Sequence, residues 1–157
     1  MKIPNGYIET EKGLWVQPGF LALTPEEKSK ICNGIGAASG LSKHIPSTIW
    51  GLDCSEAGDA HDYDYYKGGN GKDRRIADQV FLHNLYVLIG DGCWILQWPR
   101  NHRARTYYVT LRLVGWAHYN FSSDEEKATD IGETVMSFPE FVDAKASCEK
   151  EEKEQKI

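Results

Sequence analysis

Apolar side chains recur at helical spacing in two long ranges of the chain. In residues 74–89 the recurring positions are Ile76, Val80, Leu82, Leu85 and Leu88. In residues 101–121 they are Ala104, Tyr107, Tyr108, Leu111, Val114 and Trp116. Because an amphipathic helix turns such a stripe toward the core, the spacing predicts a helix over each range, the first with Asp73 as its N-cap.

Start and stop signals predict a shorter helix ahead of these two. Thr24 suits the N-cap, Pro25 suits the first helical position, and Glu27 completes a capping box. This helix should end near residues 33–34, where a glycine-rich stretch begins that indicates a long ordered loop. Residues 1–23 show no clear period, which indicates an irregular arm or short strands.

A further helix is predicted from Cys54 to Tyr66, with Asp53 as its N-cap and the glycine-rich turn 67–71 as its end. The turn leaves very little chain between this helix and the helix over 74–89. The two helices should therefore lie antiparallel.

The length of 157 residues suits a single domain with its own core. We assign this domain to residues 1–142, with the core at about residues 30–90. Residues 143–157 form a charged tail, either a solvated helix extension or a disordered segment. The predicted fold is mainly α, with two antiparallel helices at its centre and additional flanking helices.

Composition excludes several classes of function. The net charge is −5 and the basic residues are scattered, which argues against nucleic acid as a partner, since phosphate backbones require a concentrated positive surface. The four cysteines include no C-x-x-C pair, so we expect free thiols and no zinc finger. We see neither a signal-peptide pattern nor an apolar run near ~18 residues. We therefore expect synthesis in the cytoplasm, with association with a virion or later release left open, as is the oligomeric state.

Three polar side chains form the candidate catalytic group: His61, Tyr65 and Asp78. His61 and Tyr65 are spaced to share one helix face, whereas Asp62 turns about 100° away from His61. Asp78 is the acidic residue expected opposite His61, where burial would require donors such as His61 and Tyr65. A carboxylate that holds one imidazole nitrogen leaves the other free to take a proton from water, which makes His61 a candidate general base.

Asp62 points to a different neighbour and is a candidate metal ligand. Its carboxylate could join the backbone carbonyls of Cys32, Gly34 and Gly36 around calcium, a cation that prefers oxygen ligands. Glycines let such a loop turn its carbonyls inward. The sequence thus predicts a calcium site beside the candidate base.

Two motifs precede the helix that carries Asp78: Cys-Asn-Gly-Ile-Gly at 32–36 and His-Asp-x-x-Tyr at 61–65. In this order they resemble the phospholipase A2 family over about residues 30–85. The resemblance implies a calcium-dependent hydrolase that cleaves the sn-2 ester of glycerophospholipids. By this resemblance His61 would activate water with support from Tyr65 and Asp78, and the Gly34 amide would help to stabilise the oxyanion.

The chain departs from the secreted members of that family in its cysteines. Where those enzymes have cysteines around the histidine motif, this chain has Ala57, Gly58 and Asp64. The resemblance therefore points to a bacterial or phage type without the disulfide frame. Transient contact with a membrane surface is also expected, because attack on aggregated lipid needs an apolar rim. One nearby apolar group favours core packing over membrane contact: Ile45, Ile49, Trp50 and Leu52.

Two other functions stay open. An HD-type phosphohydrolase would bind a divalent metal through the His-Asp pair and further histidines, but His44 lies in a loop that contains proline and serine. A phospholipase-like scaffold could instead serve as a non-enzymatic binding or structural module, for example in a phage particle or a toxin system. Single residues also have plainer interpretations: Asp59 and Asp64 would be exposed, and Asp78 could face solvent.

Overall fold

The computed structural model describes residues 2–32, 48–90 and 94–134. The elements in these ranges are, in order, β1 (Ile8–Glu9), β2 (Trp15–Val16), α1 (Pro18–Leu21), α2 (Pro25–Ile31), β3 (Thr48–Ile49), β4 (Leu52–Asp53), α3 (Ser55–Lys67), α4 (Gly71–Gly90), α5 (Trp94–Val114) and α6 (124–134), with a 3-10 turn at Gly115–Ala117. Helices account for 69% of the described residues, so the predicted mainly α class is confirmed. The predicted charged tail, 143–157, lies outside the described residues.

Helix α2 begins as its start signals predict. The Thr24 hydroxyl accepts a hydrogen bond from the Glu27 backbone N–H at 3.3 Å, and the Glu27 carboxylate accepts one from the Thr24 N–H at 2.8 Å. This capping box satisfies N–H groups that the first turn of a helix leaves free. The helix ends at Ile31, ahead of the predicted end near residues 33–34, which lie outside the described residues.

The N-terminus of α3 differs slightly from the prediction. Cys54, not Asp53, occupies the N-cap position, and its side chain makes no cap hydrogen bond. Asp53 contributes from one residue further back, because its Oδ1 accepts a hydrogen bond from the Ser55 backbone N–H at 2.9 Å. Cys54 and Cys32 are free thiols, as predicted; the other two cysteines lie outside the described residues.

Helix α4 begins at Gly71, ahead of the predicted start at Arg74. The prediction of Asp73 as N-cap is wrong, because Asn70 caps the helix instead. Asn70 Oδ1 accepts hydrogen bonds from the backbone N–H groups of Lys72 and Asp73 at 2.8 and 3.0 Å. The Asp73 carboxylate accepts in return from the Asn70 N–H at 3.0 Å. Asp73 thus completes a capping box from inside the first turn.

Helices α3 and α4 pack against each other in the antiparallel orientation that the short turn predicts. At one end, Cys54 at the start of α3 is buried in the main hydrophobic cluster with Ile89 from the end of α4. At the other end, Tyr65 near the end of α3 is buried with Ala77 from the first half of α4. The middle of each helix therefore faces the middle of the other.

Helix α5 spans Trp94–Val114, whereas the predicted helix covers residues 101–121, so the prediction is wrong at both ends. Pro99 lies inside the helix, although a proline usually marks a helix boundary because it removes one backbone N–H and crowds the preceding turn. At the other end, Gly115 begins the 3-10 turn. In the part of the chain that the structure describes, neither α5 nor any other helix combines the length and apolar character needed to cross a bilayer.

A buried amide attaches the N-terminal strand pair to α4. The Trp15 N–H donates to Asn84 Oδ1 at 2.8 Å, and Asn84 Nδ2 donates to the Trp15 carbonyl at 2.9 Å. The side chain thus replaces a further strand as hydrogen-bond partner, which buried backbone groups require. Of the two alternatives predicted for residues 1–23, an irregular arm or short strands, the structure has short strands, β1 and β2, followed by α1.

A buried ion pair attaches α6 to the rest of the bundle. Arg74 Nη1 on α4 lies 2.7 Å from Asp130 Oδ2 on α6, and both side chains are fully buried. Arg74 Nη2 also donates to the backbone carbonyl of Arg112 at 2.7 Å. Arg112 in turn donates from Nη2 to the Thr134 hydroxyl at 2.9 Å. Polar contacts between buried side chains thus join α4, α5 and α6.

We expect Asp130→Asn to lower the free energy of unfolding by about 3–5 kcal/mol, because it leaves the buried Arg74 guanidinium without its full counter-charge. Glu133→Gln is the matched control, since the Arg75–Glu133 pair joins the same two helices at 2.6 Å but is exposed. Its effect should stay below about 1 kcal/mol. Urea denaturation followed by circular dichroism measures both values, and equal effects would contradict the assignment.

Candidate functional site

The packing of α3 against α4 brings three predicted site residues together. His61 Nε2 lies 3.0 Å from Asp78 Oδ1, and the Tyr65 hydroxyl donates to the same oxygen at 2.7 Å. Tyr65 is one helical turn beyond His61, so both side chains leave α3 on the face toward α4. Asp78 is fully buried, as expected for this position, and does not face solvent.

The second oxygen of Asp78 belongs to a buried charge cluster that the sequence analysis missed. Arg112 Nη1 from α5 lies 3.0 Å from Asp78 Oδ2, and Arg74 Nη2 lies 4.0 Å from it. Asp130 from α6 contacts both arginines, Arg74 at 2.7 Å and Arg112 at 3.4 Å. The two positive and two negative charges of this cluster balance, which offsets the cost of removing Asp78 from water.

Opposing effects act on the pKa of the Asp78 carboxyl. Burial raises this pKa, but the hydrogen bond and charge of His61, together with the charge of Arg74, outweigh burial and lower it below its ordinary value. Burial and the neighbouring Asp78 charge raise the pKa of the Tyr65 phenol, which therefore stays protonated. The site thus holds an ionised acceptor with a fixed phenol donor.

His61 is itself almost enclosed. Its side chain is 6% exposed, and its ring centroid lies 4.2 Å from that of Tyr65 and 4.9 Å from that of Phe81. Because Nε2 faces Asp78, Nδ1 is the ring nitrogen left to exchange a proton with a reactant. The imidazole is therefore held in one orientation and has little accessible surface.

The structure describes two of the four predicted calcium ligands, Cys32 and Asp62, and Cys32 contacts α3. The Cys32 thiol donates to the backbone carbonyl of Asp59 on α3, with a distance of 3.4 Å. Burial, followed by the negative charges of Asp59 and Asp62, raises the pKa of this thiol to about 11. The chain therefore leaves α2 beside the turn of α3 that carries Asp62. The other two predicted ligands, Gly34 and Gly36, lie outside the described residues.

The predicted calcium site is of a different kind from a cluster of metal-binding side chains. Across residues 2–32, 48–90 and 94–134, no three His, Cys, Asp or Glu side chains lie close enough to hold a metal ion together. The predicted calcium site uses one carboxylate and several backbone carbonyls instead, which are ligands that calcium accepts.

A further carboxylate, that of Asp64, is buried, so the expectation that Asp64 is exposed is wrong. Its exposure is 5%, and it accepts hydrogen bonds from the Tyr7 hydroxyl and from Gln17 Nε2, both at 2.8 Å. Burial raises the pKa of its carboxyl to about 6, although the Tyr7 hydrogen bond and the charge of His61 act in the opposite direction. Asp64 lines a cavity of about 300 Å³ between the N-terminal segment and α3.

The missed residues differ in the signals they leave in the sequence. Arg74 and Asp78 stand at i and i+4, a spacing typical of a helical ion pair that sequence reasoning could have recognised. Arg112 meets Asp78 from a position 34 residues further along the chain. Asp64 meets Tyr7 across 57 residues. Such long-range contacts leave no local pattern.

Comparison of the chain with known protein families, with curated proteins and with solved structures finds no match. The geometry of the site therefore carries the functional interpretation.

Gly115 marks the place where the 3-10 turn meets the Tyr65 side chain. A Cβ at this position would lie 2.5 Å from the Tyr65 hydroxyl oxygen, so Gly115→Ala should displace Tyr65 from Asp78 and destabilise the fold by about 1–3 kcal/mol. In a Tyr65→Phe background the hydroxyl is absent, and the same change should cost less. Chemical denaturation of the four proteins in this double-mutant cycle measures the coupling. Additive effects would contradict the contact.

Asp64→Asn should remove a pH dependence of stability. The folded pKa of about 6 lies above the ordinary value of about 3.9 expected in the unfolded chain. The folded state therefore binds more protons between these values, and the stability gained from protonating Asp64 is lost as the pH rises through 6. As the pH falls from about 8 to about 5, the free energy of unfolding of the wild type should rise relative to the variant by about 1–2 kcal/mol.

Urea titrations at several pH values measure this difference. Asp59→Asn is the control, because Asp59 is a partly exposed carboxylate on the same helix. Parallel pH profiles for the wild type and Asp64→Asn would show that Asp64 does not titrate in this range.

Proposed function

We propose that this protein is a calcium-dependent ester hydrolase that cleaves the sn-2 acyl ester of glycerophospholipids, in the manner of the phospholipase A2 family. The observation that supports this most is the hydrogen bond of 3.0 Å between His61 Nε2 and the buried Asp78, with Tyr65 donating to the same oxygen. The order of these residues along two antiparallel helices is the order that the family resemblance implies.

The roles of the three side chains follow from their contacts. With the Nε2 proton shared with Asp78, the lone pair of Nδ1 is free to take a proton from a water molecule. The resulting hydroxide would attack the ester carbonyl carbon, and the protonated imidazole would then return the proton to the leaving alcohol oxygen. The ionised Asp78 stabilises the imidazolium between these steps, and Tyr65 holds Asp78 in place.

The residues proposed to hold calcium are the Asp62 carboxylate and the backbone carbonyls of Cys32, Gly34 and Gly36. Bound there, calcium would polarise the ester carbonyl and stabilise the negative charge that develops on its oxygen. The Gly34 amide would donate a hydrogen bond to the same oxygen. Of these residues the structure describes Cys32 and Asp62, and the Cys32 thiol contacts α3 at the Asp59 carbonyl, 3.4 Å away and three residues before Asp62.

A non-enzymatic scaffold is the second candidate, and the burial of the site favours it. His61 is 6% exposed and Asp78 fully buried, and Asp78 is also an element of the charge cluster that joins α4, α5 and α6. In that case the His61 contact with Asp78 would contribute to stability alone. This alternative differs from the first in that the wild type would hydrolyse no ester.

His61→Gln should lower the rate of fatty-acid release from phospholipid vesicles by about 10²–10⁴-fold, because glutamine can still donate to Asp78 but cannot serve as a base. His118→Gln is the control, since His118 is an exposed histidine beyond the end of α5. Circular dichroism before the assay shows that each variant is folded. Equal activity of His61→Gln and the wild type would contradict the catalytic assignment.

A second pair of variants in the same assay tests the proposed calcium site. Asp62→Asn should weaken both hydrolysis and calcium binding measured by isothermal titration calorimetry, whereas Glu125→Gln, at an exposed carboxylate on α6, should change neither. Release of phosphate from nucleotides with manganese, in place of fatty acid from vesicles with calcium, would favour the HD-type alternative. That alternative would also require His44, which lies outside the described residues.

A further inference from the structure

Four large apolar side chains are exposed at the end of the bundle where α5 begins, three on α5 and one on the β3–β4 turn that Arg100 of α5 contacts. Trp94, Ile95 and Trp98 lie in the first turns of α5 and are 79%, 63% and 62% exposed, and Trp50 between β3 and β4 is 63% exposed. Trp94 and Trp98 stand at i and i+4, so they share one helix face with Ile95 beside them. We call these four residues the tryptophan surface. Single exposed apolar residues are ordinary, but a group of this size marks an interaction site.

The β3–β4 turn holds Trp50 at the protein surface. Trp50 and Gly51 both have positive φ, 49° and 76°, as the two central residues of a tight hairpin turn require. Arg100 Nη2 on α5 donates to the Trp50 carbonyl at 2.8 Å, which fixes the turn beside the helix. The predicted core packing holds for Ile49, which is 1% exposed, but not for Trp50; Ile45 lies outside the described residues.

The helix that carries most of this surface is positively charged. Residues 94–114 contain four arginines and no aspartate or glutamate, although the whole chain has a net charge of −5. Arg100 and Arg112 are buried, whereas Arg103 and Arg105 are exposed further along α5. Exposed arginines on the same helix as exposed aromatic side chains complement a negatively charged surface.

We propose that the tryptophan surface binds the interface of a lipid bilayer that contains anionic lipids. Indole rings are favoured at the boundary between headgroups and acyl chains, because each ring is apolar and carries one N–H donor. Arg103 and Arg105 then lie where they can meet lipid phosphates, each contributing roughly 1 kcal/mol near such a surface. Lipid accounts for the aromatic side chains and the positive charge together.

The surface lies at the end of the bundle from which α3 starts. Ile49 of the hairpin, Cys54 at the N-cap of α3 and Ile89 at the end of α4 belong to one hydrophobic cluster. His61 is about two turns along α3 from Cys54, roughly 10 Å at 1.5 Å per residue. Bilayer binding would therefore bring His61 close to aggregated lipid. That use of the surface depends on the proposed function, whereas the binding itself does not.

Co-sedimentation with vesicles tests the proposal. The vesicles contain equal amounts of ether-linked phosphatidylglycerol and phosphatidylcholine, in buffer with EDTA, so that no hydrolysable acyl ester and no free calcium is present. The double variant Trp94→Ser/Trp98→Ser should bind the vesicles at least about tenfold more weakly than the wild type, because two indole rings no longer leave water. Tyr66→Ser is the control, since Tyr66 is 62% exposed on α3. It should bind as the wild type does.

A second double variant tests the electrostatic part. Arg103→Gln/Arg105→Gln should reduce binding to the anionic vesicles, and added salt should reduce the binding of the wild type in the same direction. Binding of the Trp94→Ser/Trp98→Ser variant at the wild-type level would overturn the proposal. The proposal would also be overturned if the wild type does not bind vesicles but forms dimers in solution through these tryptophans. The tryptophan surface would then bind a second copy of the protein.

The outcome is separable from that of the proposed function. Ether lipids without calcium report binding alone, so a wild type that hydrolyses no ester could still bind these vesicles. Conversely, a wild type that fails to bind them but hydrolyses a soluble short-chain ester would refute the membrane surface and leave the hydrolase standing.

Discussion

An aspartate with no contact with water can stay ionised only where donors and positive charges surround it, and Asp78 imposes this requirement on the whole bundle. Its oxygens accept hydrogen bonds from His61 and Tyr65 on α3 and from Arg112 on α5. Asp130 on α6 balances the second buried arginine, Arg74. Displacement of any of these helices would leave a buried charge without its partner. Apolar packing brings the helices together, and the charge cluster selects one arrangement of them.

The same carboxylate has to serve both stability and the proposed chemistry. Asp78 orients His61 before any reactant arrives, which is the kind of preorganisation that enzymes use in proton transfer. The aromatic rings of Tyr65 and Phe81 add to this orientation. The consequence is that His61 has little exposed surface for a reactant to approach. A membrane-bound orientation, with the tryptophan surface in the bilayer interface, would turn the end of the bundle where α3 begins toward lipid.

Sequence reasoning succeeded where a short segment contains the whole signal. The capping box of Thr24 and Glu27 lies within one turn, and the turn between α3 and α4 is short enough to require an antiparallel pair. Once α3 and α4 are known to be antiparallel, the positions of His61 and Asp78 along them are enough to predict that the two side chains meet. Reasoning failed for α5, because Pro99 is tolerated inside the helix. It also failed for Asp64, because its burial depends on Tyr7 and Gln17, which the chain brings from far away.

Local chemistry thus determined the helical class, the start of α2 and the set of residues on each helix face, since backbone hydrogen bonding and side-chain spacing act between near neighbours. Only the tertiary structure decided which charges meet. Arg112 and Asp130 reach the Asp78 region from α5 and α6, and the cost of burying one charge depends on the positions of all the others. It likewise decided that Trp50, next to the buried Ile49, points to solvent. Coulomb interactions and burial depend on distance in space, which the order of residues does not contain.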